Sequence, residues 1–386
     1  MTRLSHSAAG KYELCPAQYK LHYIDRIRSD KLGSALLFGS AIDEALNVLL
    51  ATKMDTPAEN ATDDLDRLKK GFDYHMTYQM VGEEFLDVRT LHYIEYFGSD
   101  FDPNILTSKE LGSLSDYIKN AGYIKDPNDQ SSGEPDPIDL YNEIKEYIKD
   151  GATIQPTDQS YYNYASWLSL QRKGHLMLEH YKEEIMPKIK RVTSIQREVD
   201  LPNEEGDELI GFIDFEGELF DYEDLGVITI DNKTSSSNYR KADINDKGQL
   251  LVYDEETENG YGAYIVLLKK VAIRKEKTCK TCGTMTIRAV KKCPEGETPK
   301  TRCNGEMEVV EFPYIKSQIL VDQIDDDKKS LHFDKLCGIL EGIQNKEFAQ
   351  NRDNCFQFGR KCCYYDYCRS NPNDPDATGL IKKEDK

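Results

Sequence analysis

The sequence predicts an α/β fold: a mixed central sheet flanked by helices, with a large helical insertion and a small cysteine-bearing insert. Three observations lead there. Apolar runs with strand-like alternation lie near 192–200, 208–216, 227–232 and 263–273. Upstream stretches such as Trp167 to Ile185 repeat apolar residues at helical spacing. Nine of the ten cysteines fall into two sets, one within 25 residues and one split between the two ends of the chain.

Composition sets the bounds. A chain of 386 residues can carry one elaborated domain or two. The net charge of −19 repels phosphate, so nucleic-acid binding would need local positive potential or bound metal. Much of the acid lies in Asp55 to Asp66, Asp126 to Glu146 and Asp325 to Asp327. No run of 18 apolar residues exists to span a membrane. The first thirty residues are polar and mixed in charge, unlike a signal peptide. The expected location is therefore cytoplasmic, where cysteines are better read as metal ligands than as disulfides. No G-x-x-x-x-G-K-[ST] loop occurs, so a motor would be another chain.

Taken in order, residues 1–50 read as two helices carrying Cys15 and Asp43, with Ser5 capping the first. Residues 51–190 form the helical insertion, broken near 124–137 and 151–158. Residues 191–276 and 306–349 form the core, with a helix around Gln249 and Tyr253, a strand at 306–316 and a long helix at 318–347. Residues 277–305 are an insert, 350–370 a cysteine segment and 371–386 a disordered tail.

The core carries the chemistry. Asp214 and Asp231 lie seventeen positions apart, each after an apolar run, with the turn-rich stretch from Gly217 to Gly226 between them. A hairpin would bring both carboxylates together. Lys233 follows Asp231 by two residues, so the strand period of two puts both on one face. Paired carboxylates can hold a hard cation such as Mg²⁺. Such a cation lowers the pKa of water and polarises a phosphate. A lysine beside it can steady or deprotonate the attacking water, so the set suits phosphodiester cleavage. Sixteen positions after the lysine, Gln249 and Tyr253 sit one helical turn apart.

The insert contains Cys279-x-x-Cys282-Gly283, then Cys293 and Cys303. Four cysteines in this span suit a zinc-ribbon-like structural Zn²⁺ site. The redox reading of Cys-x-x-Cys needs a βαβ context, and none flanks it. The basic residues here either touch nucleic acid or form a charged solvated loop. The other set is Cys15 with Cys355, Cys362, Cys363 and Cys368, while Cys337 reads as a buried free thiol.

The order Asp214…Asp231-x-Lys233…Gln249-x-x-x-Tyr253 resembles the PD-(D/E)xK nucleases, in particular their RecB-like branch. The chain's opening resembles it too: a serine-led helix, Cys15-Pro16 with tyrosines after it, then Phe38-Gly39 leading a helix in which Asp43 stands where that family has histidine. The resemblance implies a restriction-endonuclease-like core, with Asp43, Asp214 and Asp231 holding Mg²⁺ or Mn²⁺ and Lys233 positioning the water. It gives Gln249 and Tyr253 a role in contacting the DNA strand, and marks Glu198 as a strand glutamate near the site. The ending Cys362-Cys363-Tyr364…Cys368 resembles the iron–sulfur members, which include the AddB nuclease domain and CRISPR-associated exonucleases. In them four thiolates hold a [4Fe–4S] cluster that staples the chain ends together. That implies Cys15, Cys355, Cys362 and Cys368 as ligands here, with Cys363 the alternative to Cys362.

The implied function is a metal-dependent DNA nuclease, an exonuclease on DNA ends or single strands in replication, recombination or repair. Its setting would be a bacterium or a phage-infected host, with a separate helicase or recombination protein as partner and no membrane. Two other classes compete. One is a catalytically degenerate DNA-binding or assembly module that keeps a structural iron–sulfur cluster. The other is a redox regulator that switches without cleaving.

Overall fold

The computed structural model describes residues 3–29, 34–82, 159–202, 208–286, 292–293, 303, 305–357, 360–369 and 380–382. Most of the helical insertion, 83–158, therefore lies outside the described residues. The centre is a six-stranded mixed sheet. Its axis is β4 (Glu208–Leu219). The strand β3 (Ile189–Pro202) runs antiparallel along one edge of β4 from end to end. The other edge is shared. A short parallel strand, β1 (Arg3–Ser5), takes Glu208 to Ile210. The antiparallel strand β5 (Ile228–Ser235) takes Phe215 to Gly217. Between Ile210 and Phe215 that edge of β4 is left without a strand partner. Beyond β5 come β6 (Tyr261–Leu268), parallel to it, and β10 (Ser317–Gln323), antiparallel to β6.

The sheet is covered on both faces, as a parallel β5–β6 pair requires. Over one face lie α3 (Ser34–Leu50), α4 (Leu65–Gly82) and α5 (Gln159–His180). The buried side chains of α3 are Leu37, Phe38, Ala41, Ile42, Ala45, Leu46, Leu49 and Leu50, a single helical stripe. They join Phe215, Ile230, Ala263 and Ile265 in the largest core cluster. Asp43 borders this stripe, which is why it is half-buried near the sheet. On the opposite face α7 (Gln249–Thr257), the crossover from β5 to β6, packs Leu250, Leu251 and Tyr253 against Ile213, Tyr264 and Val266. The short helix α6 (Asp243–Asp246) precedes it. A third cluster forms where α1 (His6–Leu14) meets α8 (Asp326–Gln344).

Smaller units hang from this frame. The insert is a three-stranded sheet of β7 (Ala272–Cys279), β8 (Met285–Thr286) and β9 (Met307–Tyr314). After Cys15 come α2 (Pro16–Tyr19) and β2 (Ile27–Ser29). Near the C-terminal end are β11 (Phe356–Gln357), β12 (Arg360–Lys361), α9 (Tyr365–Arg369) and β13 (Leu380–Lys382).

Several expectations are corrected. The 318–347 stretch is not one helix: Ser317–Gln323 pairs with β6, and the helix begins after Asp325, whose side chain accepts the Lys328 N–H. Ile319 and Val321 give that run a strand's β-branched character. The 263–273 run is two strands, β6 and β7, broken at 269–271. Within the tail expected to be disordered, Leu380–Lys382 pairs antiparallel with β2, and Leu380 is buried beside Tyr364 and Tyr367. Cys337 is exposed. Leu336, Ile339, Leu340 and Ile343 form the buried face of α8, and Cys337 falls off it.

Candidate functional site

The gap on the edge of β4 is where the catalytic-type residues meet. The last β4–β5 pair is Phe215 with Ile230, and the strands diverge beyond it. The Asp214 carboxylate then substitutes for the missing ladder bond by accepting the Asn232 N–H at 2.7 Å. Asp214 thus lies within β4 rather than at its end. Asp231 is fully buried. Lys233 reaches back along the same face of β5, with Nζ 2.6 Å from Asp231 Oδ2. No other donor among the described residues reaches either Asp231 oxygen. Asp43 enters from α3, and its Oδ2 accepts from Gln196 Nε2 at 3.3 Å.

The electrostatics follow from burial and crowding. Burial, then Asp231 and Asp43, push Asp214 well above the usual carboxylate range. Burial raises Asp231 as well, with Lys233 pulling it back. Asp43 is raised by burial and by Asp231. Burial works against the Lys233 ammonium, yet Asp231 and Asp214 hold it above the ordinary lysine range. Lys233 therefore keeps its charge in the metal-free fold. Three carboxylates against one ammonium leave two negative charges when all are ionised, the charge of one divalent cation. Hard oxygen donors, two of them buried on Asp231 with only Lys233 for company, suit Mg²⁺ or Mn²⁺, although the Asp43, Asp214 and Asp231 oxygens do not close into a group as tight as that of the insert cysteines.

Gln249 and Tyr253 do share a side of α7. Gln249 Nε2 donates to the Tyr253 hydroxyl at 2.7 Å, and that hydroxyl donates to the Phe212 carbonyl at 2.7 Å. Tyr253 thereby fastens the stretch of β4 that has lost its edge neighbour. Burial pushes its pKa up to about 12. Gly211 makes this approach possible, since a Cβ there would stand 2.8 Å from the Tyr253 ring. Glu198 is instead an outward residue, paired with Arg3 at 3.2 Å.

Four further residues at the site carried no sequence signal. Gln196 sits in β3 between the pairs flanking Asp214, with a left-handed φ of 51°. Non-glycine residues in that region are strained, and such strain gathers at functional sites. The Tyr181 hydroxyl donates to Asn232 Oδ1 at 3.1 Å. His6, at the start of α1, is lowered to about 4 by burial, with His332 and Lys233 adding to it, so it is neutral near pH 7. Tyr264 lies across from Asp231 on β6.

The insert cysteines converge. Cys279, Cys282, Cys293 and Cys303 place their sulfurs within 4.8 Å of one another. The Cys279–Cys303 and Cys282–Cys293 sulfurs are 3.7 and 3.5 Å apart. A tetrahedron with Zn–S bonds of about 2.3 Å has edges of about 3.8 Å, whereas a disulfide would be about 2.05 Å. Gly283, at φ 74°, closes the knuckle turn by donating its N–H to the Cys279 carbonyl at 2.9 Å. Bonds from Thr284 hold the Cys282 thiol down to about 6.

The terminal cysteines also meet. Cys15, Cys355, Cys362 and Cys368 line one small cavity. Their sulfurs are not gathered as tightly as the insert set. The Asn351 N–H points at Cys15 Sγ at 3.3 Å. Between the vicinal pair, Cys362 faces the cavity while Cys363 is exposed. The Cys363 thiol, the Tyr364 N–H and Lys11 hold Cys362 down to about 6.

Residues 3–98 match the family model of the PD-(D/E)XK nuclease superfamily. The matched segment contains Asp43 and stops before β3. Proteins of that superfamily are generally metal-dependent phosphodiesterases, and the mixed sheet flanked by helices is consistent with their fold. No curated protein matches the chain. No described helix is long and apolar enough to cross a membrane.

Proposed function

We propose that this protein is a metal-dependent DNA nuclease of the RecB-like, iron–sulfur kind, acting as an exonuclease on DNA ends or single strands. The observation that carries the reading is the buried Asp231–Lys233 pair at the gap on the β4 edge, with the Asp214 carboxylate fixed on the neighbouring Asn232 N–H and Asp43 of α3 held by Gln196. Asp43, Asp214 and Asp231 would hold Mg²⁺ or Mn²⁺, which supplies an activated water and a polarised phosphate. Lys233, held charged, orients that water and meets the negative charge that develops on the phosphate. Gln249 and Tyr253 brace β4 so that Asp214 keeps its direction. Since both hydrogen-bonding roles of the Tyr253 hydroxyl are taken, its part is support more than direct DNA contact. The 279–303 insert would hold Zn²⁺, and the terminal cysteines a [4Fe–4S] cluster with Cys362 rather than Cys363 as the ligand.

The reading places the protein in replication, recombination or repair in a bacterial or phage-infected cytoplasm, beside a separate helicase or recombination partner. The test is anaerobically purified protein incubated with end-labelled single- and double-stranded DNA plus Mn²⁺ or Mg²⁺. Cleavage is expected, and Lys233→Ala should lose more than the ~10²-fold typical of one acid–base group while its melting curve survives. A Lys233→Ala protein that cleaves like the wild type would remove this assignment. A folded wild type that binds DNA without cutting it would leave the degenerate binding module instead.

A further inference from the structure

Tyr264 and Asp231 are register partners in the parallel β5–β6 pair, so their side chains leave the same face of the sheet side by side. Tyr264 is 0% exposed, and its hydroxyl has no hydrogen-bond partner among the described residues. Burying a hydroxyl unpaired is unfavourable, and phenylalanine would fill the same ring site without that cost. Two other tyrosines at the site have committed hydroxyls. Tyr253 bonds Gln249 and the Phe212 carbonyl, and Tyr181 bonds Asn232. The unpartnered Tyr264 hydroxyl thus belongs to the residue next to Asp231 across the β5–β6 pair, whose buried carboxylate has only Lys233 for company. Mg²⁺ keeps several waters when bound, because it dehydrates reluctantly, and those waters need partners of their own.

We propose that Tyr264 is a positioning residue: its hydroxyl hydrogen-bonds a water carried by the divalent cation that Asp231 helps to hold, and so fixes the cation's hydration geometry. This rests on the metal-site reading given above. Partners of this outer kind commonly set affinity and activity without touching the ion. The ring itself is anchored independently, edge-on to Tyr239 at 5.4 Å, so removing the hydroxyl leaves the packing in place.

The test is Tyr264→Phe, measured three ways. Mn²⁺ binding is followed by electron paramagnetic resonance without nucleic acid, melting without metal, and kcat and KM on end-labelled DNA. The expected result is a metal-free melting temperature at or above the wild type, with Mn²⁺ affinity and kcat each down by roughly 10-fold or more and KM little changed. Wild-type Mn²⁺ affinity and kcat in Tyr264→Phe would overturn the proposal and leave the hydroxyl as a core defect. A lower melting temperature would overturn it too, because the hydroxyl would then hold a structural bond. Wild type and Asp231→Asn are titrated in parallel. Wild-type binding that Asp231→Asn abolishes, with Tyr264→Phe indistinguishable from wild type, defeats Tyr264 alone. A wild type that binds no Mn²⁺, or whose binding survives Asp231→Asn, defeats the metal-site reading and this proposal with it.

Discussion

Asp214 is an acid whose charge the metal-free fold opposes. Its folded pKa is raised above the ordinary 3.8 by burial and by two neighbouring carboxylates. Between those two values the folded chain binds more protons than the unfolded one, so stability falls as pH rises through that window. Asp214→Asn should therefore stabilise the chelator-treated protein near pH 7, by on the order of 1 kcal/mol, with the gain fading toward about pH 4. Urea melts in chelator across that range would show it. A gain that grows on acidification would mean the carboxylate is favoured in the fold. Added Mn²⁺ should reverse the order, since the cation takes the place of the protons. At this scale Asp214, Asp231 and Lys233 were legible because each follows an apolar run and the strand period fixes the Asp231–Lys233 face. Gln196 and Tyr264 were not. One depends on a single backbone angle and the other on which residue of β6 lies beside Asp231, and neither leaves a mark in the order of residues.

At the scale of elements, β4 holds the site because its second edge is divided between β1 and β5. Gly211 lies in the undivided part, under the Tyr253 ring. Gly211→Ala should push Tyr253 off the Phe212 carbonyl, cost about 1–3 kcal/mol through overpacking, and lower kcat more than DNA affinity. Thermal melts and steady-state kinetics check this, and an unchanged kcat would show that Tyr253 braces nothing that matters to the reaction. The strands β3, β4 and β5 could be read from alternation. Ser317–Gln323 could not, because a short apolar run beside a helix start fits either period. The pairing of Arg3–Ser5 with Glu208–Ile210 was equally hidden, since three residues carry no periodicity.

For the whole molecule, two cysteine centres make separable predictions. Cys282→Ser should lose zinc and keep iron. Cys15→Ser should lose roughly four irons and loosen both ends of the chain together, while the zinc stays. A cluster on the terminal set would close a loop of more than 300 residues, from Cys15 to Cys355, and closing long loops restrains the unfolded chain most in the chain-entropy view. Elemental analysis of anaerobic preparations decides it. Two zincs and no iron would make the terminal cavity a second zinc site. With a net charge of −19, the proposed DNA substrate would be met by local features such as Lys233 and a bound cation rather than by the molecule's overall field.

The strand Ile27–Ser29 has its only ladder partner at Leu380–Lys382 among the described residues. A ribosome adding about 5–20 residues per second needs roughly 20–70 s to make the stretch between them. For that interval Ile27, 6% exposed in the finished fold, has neither its strand partner nor the Tyr364 and Tyr367 that later cover it. Emergence of Ile27–Ser29 therefore precedes completion of this corner, whose final assembly must wait until the chain has been made through Lys382.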